Sequence, residues 1–236
     1  MIILGVESSA VSVSAAVMKD GKLVSEVFAN NGLTHSVTLL PQIKTALDFA
    51  GVSPDEVDVF AVSSGPGSFT GLRIGAATVK GLCSEKSSCL GVSTLEAMAF
   101  DHCVFGGTVC AVMDARCMQV YNALFQNKDG KVLRLCEDRA VMIEELISEL
   151  QKIEGEILFV GDGAALCFET VKKTAPELMS RVKIAANTRV FQGAGGVCAC
   201  ANNMLSNGVS TVCANDLEIS YLRLPQAERE LKKKEK

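Results

Sequence analysis

The chain has 236 residues, 48% of them hydrophobic, which is enough to bury a substantial core and excludes a disordered polymer. A formal charge of -4 excludes whole-chain electrostatic attraction to a nucleic-acid backbone and leaves only local basic patches for such contacts. The ten cysteines include no C-x-x-C pair, and most sit among Val, Ala and Leu, so they read as reduced, small hydrophobes rather than a disulfide framework. No basic n-region opens the chain and no 18 apolar residues run uninterrupted, so a cytoplasmic protein without membrane spans is expected.

In chain order, Ile2 to Val6 is an apolar run, Val11 to Val17 alternates, and the turn Lys19-Asp20-Gly21-Lys22 leads into Leu23 to Ala29. These are three antiparallel strands. The spacing of Leu39, Ile43, Ala46, Leu47 and Ala50 predicts a helix over 34–50 in spite of Pro41. A strand over 57–62 runs into Ser64-Gly65-Pro66-Gly67-Ser68-Phe69-Thr70-Gly71, then a small-residue helix over 71–84, a strand over 89–92 and a helix over 94–100 with Ser93 and Glu96 in capping-box positions. The second half restarts with a strand over 109–113, a strand over 118–125, the turn Lys128-Asp129-Gly130-Lys131 and a strand over 132–135. It continues with a helix over 141–153, a strand over 157–160 ending at Gly161-Asp162-Gly163, a helix over 164–174, a strand over 182–185 and a long helix over 190–206.

Glu7 ends the first strand 12 residues before one Lys-Asp-Gly-Lys turn, and Asp114 ends its counterpart 14 residues before the other. That echo implies an internal duplication and two α/β lobes, here bounded as 1–104 and 105–225, followed by a charged tail over 226–236. The segment from Leu217 to Leu224 is free to return to either lobe.

The loop from Ser63 to Arg73 is the leading functional feature. Its glycines admit close backbone approach, and Ser68 or Thr70 can cap the next helix; the loop can cradle an anion or receive another backbone. Gly71 is followed by Leu72 and Arg73 rather than Lys and Ser/Thr, so it is no Walker loop. Glu7 and Asp114 admit two readings: cleft carboxylates acting on a ligand, or strand-end carboxylates accepting backbone donors. With only His35 and His102 present, a multi-histidine metal site within one chain is excluded, and no Gly-x-Ser-x-Gly elbow marks a serine hydrolase. The helices over 34–50 and 71–84 together carry more apolar residues than one core needs, which leaves helix-helix association open.

The segments Ile3-Leu4-Gly5-Val6-Glu7-Ser8-Ser9, Thr34-His35-Ser36 with Leu39-Leu40-Pro41, Ser64 to Arg73, Gly91 to Glu96, Asp114-Ala115-Arg116 and Tyr221-Leu222-Arg223 closely resemble the bacterial TsaB proteins. The likeness spans nearly the whole chain and is weakest over 141–208. It implies the two-lobed actin-like fold of the acetate and sugar kinases. It also implies a non-catalytic, accessory role in forming N6-threonylcarbamoyladenosine at tRNA position 37, beside the transferase TsaD and the ATPase TsaE, with ATP and metal held by those partners. His35 lacks the second histidine of the His-x-x-x-His pattern of TsaD, so the metal clamp is absent from the motif. The resemblance places the partner surface, also used for homodimerisation, on the first-lobe helices, with His35, Leu39, Leu40, Ile43, Leu47, Phe69, Leu72, Arg73 and Ala76 as its candidates. The alternative is a nucleotide-binding or weak ATP-hydrolysing enzyme with Glu7, Asp114, Gly161 and Gly163 around a cleft. A metallopeptidase reading lacks the ligands.

Overall fold

The computed structural model describes residues 1–223. The leucine segment reaching Leu224 and the tail over 226–236 therefore lie partly or wholly outside the described residues.

β1 (Ile2–Glu7), β2 (Val13–Lys19) and β3 (Lys22–Ala29) form an antiparallel meander. Its hairpin turn carries Asp20 and Gly21 at φ 50° and 76°, the left-handed pair that a two-residue turn between twisted strands requires. α1 (His35–Ala50) follows and ends at Gly51, φ 62°. β4 (Val59–Gly65), α2 (Phe69–Leu82) and β5 (Ser88–Ser93) complete a five-stranded sheet of order β3-β2-β1-β4-β5, with β1, β4 and β5 parallel. α3 (Thr94–Asp101) leads out. Ser93 Oγ accepts the Glu96 N–H at 3.2 Å, but the Glu96 carboxylate turns to Arg134 at 2.6 Å, so only half of the expected capping box forms.

The second half repeats the first. β6 (Gly107–Asp114) pairs antiparallel with β7 (Gln119–Lys128), and β7 pairs with β8 (Lys131–Arg134) around a turn with Asp129 and Gly130 at φ 52° and 73°. β9 (Arg139–Met142) adds to β7, and α4 (Ile143–Leu150) follows. The helix expected over 141–153 thus loses its first residues to a strand, since Val141 pairs with Val120. β10 (Ile157–Val160), α5 (Ala164–Thr174) and β11 (Val182–Ile184) finish a sheet of order β11-β10-β6-β7-β8, the same order as the first. The duplication inferred from two turns is therefore present in the pairing of every strand that the halves share.

α6 (Ala194–Ser206) begins four residues later than expected, after the cap Gly193. It does not stay with the second half. Ala194, Val197, Cys198, Cys200 and Ala201 pack on Ile3, Ala16, Met18, Val59 and Ala61 of the first sheet, whose opposite face is covered by α1 and α2. The following segment straps the same lobe: Val212 bridges Cys89 on β5, Leu217 enters the α1/α2 core, and the Ser220 N–H reaches Ser64 O at 2.8 Å. A second lobe of 105–225 is therefore corrected: its own core is built from β6 to β11 with α3, α4 and α5, while residues from 194 complete the first lobe. The physical reason is that the sheet face carrying Ile3, Ala16 and Ala61 has no first-half helix other than α3 to bury it.

Five of the ten cysteines (Cys89, Cys110, Cys167, Cys198 and Cys200) are buried, and all ten are free thiols. Burial pushes the Cys89 and Cys167 thiols up to about 12, and those of Cys110, Cys198 and Cys200 upward as well.

Candidate functional site: a cleft and a helical face

The C-terminal ends of β1, β6 and β10 meet between the lobes, where ligands of open α/β sheets are usually held. A cleft of about 400 Å³ lies there. Asp114 and Asp162 line it together with Arg116, Tyr121, Tyr221 and Arg223. Asp114 accepts the Arg116 N–H at 2.7 Å and an Arg116 guanidinium N–H at 3.3 Å. That turn holds three successive non-glycine residues, Arg116, Cys117 and Met118, at φ 66°, 54° and 58°, a conformation that costs side-chain-bearing residues energy. Asp162 accepts the Gln192 amide at 2.9 Å, and burial holds its carboxyl above the usual aspartate range.

The returning segment, 220–223, lines one side of the cleft. Tyr221 stacks on Phe69 with centroids 4.7 Å apart, Arg73 lies over the Phe69 ring at 3.8 Å, and the Arg73 Nε–H reaches the Tyr221 hydroxyl at 3.1 Å. Arg223 donates to Ala115 O at 2.7 Å, joining the strap to the second lobe.

Of the four residues proposed to hold a cofactor, only Asp114 faces the cleft. Glu7 is fully buried; its carboxylate accepts the Ser9 N–H at 2.6 Å and the Ser63 hydroxyl. Burial raises its pKa against those bonds, and it reads as the strand-end carboxylate, not a ligand-binding one. Gly161, φ 101°, passes so close to β6 that a Cβ would stand 2.1 Å from Val112 O, and a Cβ on Gly163 would stand 3.1 Å from the Met113 carbonyl carbon. Both glycines dock the β10–α5 turn on β6.

The glycine loop is likewise closed by its own chain. A Cβ on Gly67 would stand 2.5 Å from Ser9 O, on Gly71 2.1 Å from Ser8 O, and on Gly65, φ 133°, 2.2 Å from Ser220 O. The Ser68 N–H, a donor that an anion would need, is given to Ser9 O at 2.6 Å, and Ser68 Oγ caps α2 through the Gly71 N–H at 3.3 Å. Of the two roles open to this loop, receiving another backbone is the one realised. A nucleotide phosphate does not fit the space that Ser8 and Ser9 fill. Among the described residues no group of three His, Cys, Asp or Glu side chains is placed to hold a metal ion.

The helical face separates the interface candidates sharply. Leu39, Ile43, Leu47, Leu72 and Ala76 are buried, at 1%, 1%, 4%, 0% and 6% exposure, and are corrected to core residues. Their spacing is that of the stripe facing the sheet, which an association surface cannot share. Leu40 is 54% exposed, Arg73 is exposed, and His35 and Phe69 are half-buried. His35 Nε2 is bound to Ala10 O at 2.8 Å, tying the start of α1 to the loop after β1. Val37, not among the candidates, lies one turn before Leu40 on the exposed side of α1, and Leu33, also exposed, precedes the helix. On α2 the outward strip is Thr70, Arg73, Ala77 and Gly81, of which Ala77 and Gly81 are small enough for another helix to approach closely. The signal that could have separated the two faces was available: 37, 40, 41, 44 and 48 share a side opposite 39, 43, 46 and 47.

The fold is that of the two-lobed, actin-like α/β proteins. A Thermus thermophilus ROK hexokinase superposes with a TM-score of 0.51 at 13% identity, over 88% of this chain and all of that one. A Pseudomonas aeruginosa protein described as similar to peptidase YEAZ superposes with a TM-score of 0.76 at 23% identity, covering 94% of this chain and 99% of that one. The family model for TsaD, tRNA N6-adenosine threonylcarbamoyltransferase, matches residues 23–231. Two curated relatives are named tRNA threonylcarbamoyladenosine biosynthesis protein TsaB. The Bacillus subtilis one is 30% identical over 70% of this chain and 73% of its own length; the Escherichia coli one is 34% identical over 69% and 72%. The chain belongs to the TsaB family, within the wider group that includes the TsaD transferases.

Proposed function

We infer that this chain serves tRNA threonylcarbamoyladenosine biosynthesis as an accessory subunit without transfer chemistry of its own, docking on a TsaD transferase through α1 and α2. The observation that carries the reading is the outward face of these helices. Val37 and Leu40 on α1 are 67% and 54% exposed, with Leu33 just before the helix at 58%, beside the exposed Ala77 and Gly81 of α2. Contiguous exposed apolar residues on a helix pair fit a protein partner better than solvent. The absence of an equivalent of the second metal-binding histidine supports the non-catalytic role.

In this reading the same face makes a homodimer when the transferase is absent, and TsaE and tRNA join only the assembled complex, in the cytoplasm. No helix among the described residues is long and apolar enough to cross a membrane. Light scattering after size-exclusion chromatography tests the proposal, with the chain alone and mixed with the TsaD of the same genome. A new one-to-one species is expected; two proteins that elute unchanged at tens of micromolar would sink it. Salt-sensitive tRNA binding by this chain alone would overturn the indirect role of tRNA.

A further inference from the structure

The outward helices α1 and α2 are cationic in a chain that is acidic overall. They carry Lys44, Arg73 and Lys80 against one acid, Asp48, while the whole chain has a formal charge of -4. Lys80 gives its ammonium to Asn215 O at 3.3 Å. Lys44 and Arg73 are exposed, and neither enters an ion pair among the described residues. Charge of one sign on helices that also expose Val37 and Leu40 calls for an acidic, partly apolar counterpart.

Arg73 differs from an ordinary surface arginine in being held. Its guanidinium lies 3.8 Å over the Phe69 ring, and its Nε–H is given to the Tyr221 hydroxyl, whose own ring stacks on Phe69. Neither Nη group has a hydrogen-bond acceptor among the described residues. A guanidinium fixed by its face and by Nε offers the two Nη groups as a fork that matches the oxygens of a carboxylate, and the rotamer freedom that binding normally removes is already lost. Arginine and tyrosine are also residue types on which interface energy concentrates. Tyr221, 41% exposed, is one of only two tyrosines in a chain without tryptophan.

We propose that the Phe69–Arg73–Tyr221 cluster anchors the partner face by gripping an Asp or Glu carboxylate of the docked protein, an assignment that rests on docking through α1 and α2. A phosphate of RNA would satisfy the same fork. Arg73 is followed one and two turns on, however, by Ala77 and Gly81, exposed small residues that let another helix approach and give a nucleic-acid backbone nothing to hold. Tyr221 belongs to the strap that returns from α6, so the anchor is complete only when that strap is seated, with the Ser220 N–H on Ser64 O at 2.8 Å and Arg223 on Ala115 O at 2.7 Å. Partner recognition therefore reads a finished first lobe and not α2 alone.

The test measures the affinity of the full chain for the TsaD of the same genome by calorimetry, from about 50 to about 500 mM NaCl. Arg73→Gln should weaken binding about ten- to hundred-fold at low salt and by less as salt rises, whereas a merely structural Arg73 would lower affinity by one factor throughout. Arg73→Lys, which keeps the charge and loses the fork, should recover only part of the loss. In its complex a carbodiimide should join the introduced amine to an Asp or Glu of the transferase as an amide, located by mass spectrometry of the digest. Tyr221→Phe, which keeps the ring and releases Nε, should cost a few-fold. Binding by Arg73→Gln within about two-fold of wild type at low salt, or a loss that salt does not change, would overturn the anchor. So would an unchanged affinity for TsaD combined with lost retention of tRNA by the assembled complex, which would make the gripped group a phosphate. Leu40→Asp separates the two levels. No complex with wild type sinks docking through these helices and the anchor with it, while a complex that Leu40→Asp abolishes and Arg73→Gln leaves intact sinks the anchor alone.

Discussion

Two glycines of α2 test whether the loop is a closed packing element or an open cradle. Gly81 is exposed, and a Cβ there meets nothing within 4 Å; Gly71 is buried, and a Cβ there would stand 2.1 Å from Ser8 O, a backbone atom. Replacing either by Ala gains helix propensity, up to about 1 kcal/mol in a helix interior and roughly half that one residue from the end. At Gly81 that gain stands alone, so Gly81→Ala should stabilise by about 0.5 kcal/mol. At Gly71 an ordinary contact of about 3.4 Å requires Ser8 and α2 to separate by over an ångström. That separation strains the Ser68–Ser9 hydrogen bond and the Glu7–Ser9 bond on the same loop. Overpacking of 1–3 kcal/mol plus one lost bond of about 1 kcal/mol outweighs the gain, so Gly71→Ala should destabilise by roughly 2–3 kcal/mol. Urea unfolding with linear extrapolation measures both. A Gly71→Ala protein as stable as wild type would refute the closed-loop argument and return the loop to anion binding.

The corrected helical face predicts that Leu40→Asp abolishes association with TsaD while moving stability by no more than about 0.5 kcal/mol. Ile43→Ala, by contrast, should cost roughly 2–4 kcal/mol, or about 4–16 °C in Tm, through a core cavity; equal stability effects of the two changes would invert the face assignment. In the native protein at pH 8, a thiol reagent should modify exposed Cys117 and Cys213 first, and reach Cys110, Cys167, Cys198 and Cys200 only at the rate of unfolding; mass spectrometry of quenched samples reads the order. Arg73→Ala should loosen the strap, seen as faster proteolysis between 207 and 223 with the first-lobe core otherwise intact; unchanged cleavage would show that the Phe69–Tyr221 stack suffices alone.

Local periodicity made the strands and helices legible. The Lys-Asp-Gly-Lys turns fix their hairpins because Asp-Gly accepts left-handed dihedrals, and the 3.6-residue spacing of Leu39, Ile43 and Leu47 does mark α1. The interface list went wrong because that same stripe was assigned to a partner; the residues most regularly spaced are the ones a helix turns toward its own sheet. The cleft was only partly legible. Asp114 ends a strand and could be located from sequence, whereas the closing of the glycine loop by Ser8, Ser9 and Ser220 depends on contacts between segments far apart in the chain. The same holds for α6, whose small residues could pack on either sheet.

That route of α6 also sets an order of events during synthesis. Ser12 bonds Gln192 O and Ser14 bonds the Ala194 N–H, each across 180 positions, and Cys198 reaches Ile3 O across 195. The opening meander leaves the ribosome long before the helix that covers it, while the second sheet, with its three helices, can consolidate in between. The nascent first lobe must therefore wait with one apolar sheet face uncovered, a natural place for a chaperone to bind, and maturation of the whole molecule is timed by the segment that starts at Ala194.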